Sequence, residues 1–118
     1  MIMEKTITLD GTTLSPSEAY IAAKSYYTIQ VSEDAWQRII KSRKVIDEIL
    51  QSDQIVYGIN TGFGSLVNTT ISKEDLKQLQ VNLVRSHATG LGELMSETQV
   101  RAMMISRINS FACGFSGV

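Results

Sequence analysis

Four serines, each followed within three residues by an acidic or amide side chain, divide this chain and decide most of what it can fold into. Ser15-Pro16-Ser17-Glu18 has a serine cap, proline at the first helical position and glutamate three residues after the cap. Ser32-Glu33-Asp34 puts two acids in a first turn, where the helix dipole favours them. Ser72-Lys73-Glu74-Asp75 and Ser96-Glu97-Thr98-Gln99 repeat the pattern. Helices are therefore predicted near 16–24, 33–51, 73–86 and 97–113. Behind each later cap, apolar residues recur at helical spacing. Trp36, Ile39, Ile40, Ile46, Ile49 and Leu50 form one stripe, expected to pack in the core. Leu76, Leu79, Leu83 and Val84 form a second. Val100, Met103, Met104, Ile108 and Phe111 form a third, expected to point inward.

The N-terminal end reads differently. Thr6-Ile7-Thr8-Leu9 alternates and favours a strand. Asp10-Gly11 predicts a hairpin turn, with Thr12-Thr13-Leu14 as the return strand. Tyr26 to Val31 alternates again. The expected fold is mainly α with about three short N-terminal strands (α+β), not a parallel doubly wound sheet.

The totals limit the function classes. A chain of 118 residues with 43% hydrophobic and 19% charged content suits one domain, 1–118, with a core of its own. The net charge of −1 and the lack of a dense Lys/Arg cluster argue against a nucleic-acid face. One cysteine, Cys113, excludes an internal disulfide, and with one histidine it argues against a zinc site, so no metal is expected. The first residues lack the apolar core of a signal peptide, and no apolar run approaches a membrane span. The expected compartment is the cytoplasm.

Tyr57-Gly58-Ile59-Asn60-Thr61-Gly62-Phe63-Gly64 is too rich in glycine for a regular element and too aromatic for an exposed linker. It predicts an irregular, semi-buried loop over 57–70. The dinucleotide fingerprint needs a third glycine where Val67 stands, and the P-loop needs a lysine that does not follow, so neither phosphate motif fits. On the residues alone both a structural loop and a site loop remain open. Tyr57 reads as readily as a core tyrosine with a bonded hydroxyl, and His87 as a satisfied histidine at a helix end.

The octapeptide, followed by DLKQLQVNLVRSHATGLGE and then RINSFACGFSGV, resembles the N-terminal region of the aromatic amino acid lyase family, in particular its histidine ammonia-lyases. The resemblance covers essentially the whole chain and is densest from Tyr57 to Val118. It implies the N-terminal domain of the ammonia-lyase (fumarase/aspartase-like) fold and non-oxidative removal of ammonia from an amino acid, which for histidine gives urocanate. It also implies a methylidene-imidazolone cofactor formed from an internal Ala-Ser-Gly. This chain contains no Ala-Ser-Gly, so it is expected to be part of a longer enzyme, to carry no cofactor itself and to be inactive alone.

Carried over residue by residue, the resemblance makes Tyr57 the catalytic base that removes a proton from the substrate β-carbon. It makes His87, Gly64 and Asn60 substrate-binding, and Arg107 and Asn109 structural support. A free phenol titrates near pH 10, so such a site must supply positive potential. The partners implied are a small amino acid substrate and further copies of the parent in a homotetramer. Ser86-His87 and YGINTGFG point to histidine. The alternatives are a tyrosine or phenylalanine lyase or aminomutase of the same family, and a free-standing binding or assembly module.

Overall fold

The computed structural model describes residues 5–52, 54–64, 69 and 71–118. Its elements are β1 (Thr6–Leu9), α1 (Pro16–Lys24), β2 (Thr28–Val31), α2 (Glu33–Gln51), α3 (Lys73–His87) and α4 (Glu97–Ala112). The described residues form two compact units, one from Met1–Lys44 with Leu94–Val118, the other from Val45–Glu93.

The caps form as the local chemistry requires. Ser15 and Glu18 bond each other's backbone N–H groups, as do Ser96 and Gln99, while the Ser72 hydroxyl accepts from the Asp75 amide at 3.2 Å. Each bond satisfies an amide that the first helical turn leaves without a partner. The predicted α3 and α4 ends differ from the observed ones by one residue.

In the first unit β1 and β2 pair in parallel, with Thr6 opposite Thr28 and Leu9 opposite Val31, and α1 connects them. The expected hairpin is absent. Residues 12–14 form no strand, and only two strands occur among the described residues. The Asp10 carboxylate accepts from the Thr12 and Thr13 amides at 2.7 and 2.8 Å, so the chain folds over its own side chain. Gly11, at φ +87°, gives its N–H to the Asn109 side chain on α4 at 3.0 Å. These bonds turn the backbone toward the Ser15 cap instead of back along β1.

The core of this unit is small-residue packing. Ala19, Ala22 and Ala23 share one face of α1 and are buried with Leu9 and Ile105. Alanines there let the α1 and α4 backbones approach closely. The predicted stripes are corrected accordingly. Met103 and Met104 are 58% and 59% exposed and Val100 is also exposed, while Ile105 and Ala112 are the buried residues of α4. On α2, Trp36 and Ile40 are about half exposed, and the buried residue is Ala35. Ile108 of the predicted α4 stripe does pack, partly buried, against the core, but on α1 and α2 the fully buried residues are alanines.

Two clasps close the unit. Arg38 of α2 donates from Nη2 to the carbonyls of Asp10 and Ala112. Gly114, at φ +79°, lies so near that a Cβ there would come 2.5 Å from Arg38 Cβ. At the end of α1, Tyr26 takes φ +54°, the left-handed position normally given to glycine, and the Tyr27 amide returns to the Ala22 carbonyl. Arg101 offsets that strain from α4. Its guanidinium stacks 4.7 Å from the Tyr26 ring centroid and its Nε donates to Ala23 O.

Candidate active site

The second unit carries Tyr57, Asn60, Gly64 and His87. Its described residues 57–64 are irregular, as the glycines require, while residues 65–68 and 70 of the predicted loop lie outside the described residues. Two backbone bonds pin the loop's base, from Gly62 N to Thr69 O and from Ile71 N to Asn60 O, both 3.0 Å. Thr61, 1% exposed, closes the turn from inside. Its hydroxyl donates to Gly62 O at 3.0 Å and accepts from the Gly58 amide at 3.3 Å. Gly58 at φ +78° and Gly64 at φ +59° take conformations that a side chain would strain.

Tyr57 is 59% exposed, and its ring meets the edge of Phe63 at a centroid distance of 6.2 Å and 73° between planes. That geometry suits the opposed charge of ring face and ring edge. None of the hydrogen bonds among the described residues uses the Tyr57 hydroxyl. Asn60 is different: Oδ1 accepts from Val56 N and Nδ2 donates to Gln54 O, both at 2.8 Å. Its side chain is turned to the loop's own backbone. Gly64 is exposed, and among the described residues a Cβ at Gly58 or Gly64 would meet nothing within 4 Å.

His87 is the last residue of α3 and is exposed. Its Nδ1 lies 2.9 Å from Leu83 O and 3.0 Å from Ser86 Oγ. A carbonyl can only accept, so this contact calls for a proton on Nδ1, and Nε2 is the nitrogen left without a partner among the described residues. The structure thus places Tyr57, Asn60 and Gly64 on one loop and His87 at a helix end of the same unit. Phe63, the ring against Tyr57, was not singled out from the sequence as a site residue; only its place inside the octapeptide hinted at it.

The first unit has an open cleft of about 590 Å³ lined by Asp10, Thr12, Ser32, Asp34, Arg38, Cys113 and Phe115. The Asp10 carboxylate and the Arg38 guanidinium are spent on backbone, and the Cys113 thiol donates to Gly11 O at 3.1 Å. Among the described residues no three His, Cys, Asp or Glu side chains come together as metal ligands. No helix among them is long and apolar enough to cross a membrane.

Tyr57 and His87 are thus both exposed side chains of the second unit. The sequence profile of the aromatic amino acid lyases matches residues 14–118, and the chain belongs to that family. It is 44% identical to the histidine ammonia-lyase of Clostridium tetani over 114 residues, 97% of this chain and 22% of that protein. The crystal structure of histidine ammonia-lyase from Trypanosoma cruzi superposes with a TM-score of 0.88 at 40% identity, over 96% of this chain and 22% of that one. The tyrosine aminomutase of Streptomyces globisporus gives a TM-score of 0.88 at 33% identity, again over 96% and 22%. This chain thus spans about a fifth of the length of the relatives it matches.

Proposed function

We propose that this chain is the N-terminal part of a cytoplasmic, homotetrameric histidine ammonia-lyase that converts L-histidine to urocanate and ammonia. The observation that supports it most is the 44% identity to a histidine ammonia-lyase across nearly the whole chain, site loop included. In this reading the Tyr57 oxygen takes a proton from the substrate β-carbon. The electron pair of that C–H bond forms the α,β double bond, the C–N bond breaks with its pair on nitrogen, and the amino group, which carries three protons as the substrate ammonium, leaves as ammonia. General-base catalysis of this kind is worth roughly 10²–10⁴-fold. His87 Nε2 accepts a hydrogen bond from the substrate's ring or amino group. The amide and open space at Gly64 let substrate approach the loop backbone.

The methylidene-imidazolone, formed from an Ala-Ser-Gly outside this chain, supplies the electrophile that loosens the amino group. The loop suits such a neighbour: among the described residues the Tyr57 hydroxyl is unspent and nothing fills the space beside Gly58 and Gly64. This chain holds the base and the substrate contacts, and alone it turns over nothing.

A tyrosine or phenylalanine lyase or aminomutase is the second reading, favoured by the likeness to the tyrosine aminomutase. The test is to express the whole reading frame that carries this chain and supply histidine, tyrosine and phenylalanine separately. Urocanate absorbance growing with histidine alone supports the first reading. Cinnamate-type or β-amino acid products support the second. A frame without Ala-Ser-Gly and without turnover leaves a binding or assembly module.

A further inference from the structure

We infer that Asn60 is a positioning residue for Tyr57: its side-chain amide clamps the backbone leading into the tyrosine and does not contact substrate. The inference rests on the reading of Tyr57 as the base. All four polar groups of Asn60 are engaged within the unit. Oδ1 accepts from Val56 N and Nδ2 donates to Gln54 O, both at 2.8 Å. The backbone N–H donates to Val56 O at 3.3 Å, and the backbone carbonyl accepts from Ile71 N at 3.0 Å.

The side-chain amide offers residues 54 and 56 one donor and one acceptor, as a neighbouring strand would. The approach to Tyr57 is thereby paired as if at a sheet edge, although no strand lies beside it. The opposite amide orientation would face donor to donor and acceptor to acceptor, so the observed one is the only one that satisfies both partners. A substrate group could claim this amide only by stripping one of these bonds from the loop. The Tyr57 oxygen sits at the far end of its side chain, so a small backbone rotation at residues 54–57 moves it a long way. Misplacement by about 1 Å can cost 10²-fold in rate.

The test uses the whole enzyme that carries this chain and compares Asn60→Ala, Asn60→Asp, Tyr57→Phe and the double variant Asn60→Ala/Tyr57→Phe. Asn60→Asp keeps an oxygen for Val56 N–H but sets a second oxygen against Gln54 O. Asn60→Ala should lower kcat by about 10- to 10²-fold. KM should stay within about threefold, because the lost orientation matters only in the transition state. Asn60→Asp should fall between wild type and Asn60→Ala, and if Asn60→Ala does not fold, Asn60→Asp is judged by the same split. In the Tyr57→Phe background, Asn60→Ala should cost less than about threefold more, since its effect runs through the absent hydroxyl.

A raised KM with kcat kept makes Asn60 a substrate ligand. Unchanged kcat and KM, or full additivity with Tyr57→Phe, makes it structural. Each of these results overturns the inference. Near-normal turnover in Tyr57→Phe sinks the reading of Tyr57 together with this inference. A crippled Tyr57→Phe beside a normal Asn60→Ala sinks the inference alone.

Discussion

Arg38 Nη2 on α2 donates to the carbonyl of Ala112 at the end of α4 at 3.1 Å, across 74 residues of sequence. The same nitrogen holds the Asp10 carbonyl, so one guanidinium closes three parts of the first unit. Arg38→Met keeps the stem and removes both bonds. It should lower stability by about 1.5–3 kcal/mol, the range for a hydrogen bond that involves a charged group. Gly114→Ala should cost more, because its φ is left-handed and the new methyl would meet Arg38 itself. Thermal melts of this chain check both; equal melting temperatures for Gly114→Ala and wild type would contradict the close approach.

Burial on α4 separates two neighbouring positions. Ile105→Ala should destabilise this chain by about 2–5 kcal/mol, as core truncations do. Met103→Ala, on the exposed side, should change it by about 0.5 kcal/mol or less. Denaturant midpoints compared at equal slope give the answer, and a Met103→Ala loss matching that of Ile105→Ala would show that the exposed face is packed in solution.

Acid should weaken the turn after β1. Donation by the Thr12 amide, then the Thr13 amide and hydroxyl, lowers the Asp10 carboxyl from 3.8 to about 2. The Ser15 hydroxyl, then its amide, lowers Glu18 as well. Both groups bind a proton less readily when folded than when unfolded. Their contribution is therefore complete above the unfolded carboxylate range and is lost as pH falls toward the folded value. Asp10→Asn should flatten the decline of melting temperature between about pH 4 and pH 2. An unaltered decline would mean that the turn does not sense this proton.

In the whole enzyme Tyr57→Phe keeps the ring against Phe63 and deletes only the hydroxyl. Turnover should fall by at least roughly 10²-fold with KM little changed. The melting temperature should hold, since no bond to that hydroxyl is lost among the described residues. His87→Ala should instead raise KM more than it lowers kcat. Steady-state kinetics and a melt on the same samples decide; activity within about threefold of wild type for Tyr57→Phe would leave it a packing residue.

The helix starts were legible because their chemistry is local. Ser15, Ser72 and Ser96 each find a partner three residues away, so a short window holds the whole cap. Asp10-Gly11 misled for the opposite reason. Its hairpin signal is also local, but Gly11 is held by Asn109, 98 residues distant, which no window contains. The stripes misled because periodicity finds a face without saying what covers it. Here Ala19, Ala22 and Ala23 carry the packing, and alanine is too common in helices to stand out. Tyr57 and His87 are candidate site residues on the resemblance alone. The resemblance could not tell that the Asn60 amide serves the loop, because that follows from the orientation of one side chain.

The first unit is drawn from both ends of the chain, residues up to 44 and from 94 onward, while the second occupies the middle. During synthesis, β1, α1 and β2 leave the ribosome before α4, with the alanine face of α1 still lacking Ile105. Leu9, Leu14 and Ile29 are at hand to cover part of it, but Ile105 is not. The face must wait while some fifty intervening residues, Tyr57 and His87 among them, are made. Joining such distant segments carries a loop-closure entropy that grows with the logarithm of their separation. The segment with Tyr57 and His87 is thus made before the first unit can close, and folding of that unit is gated by the arrival of α4.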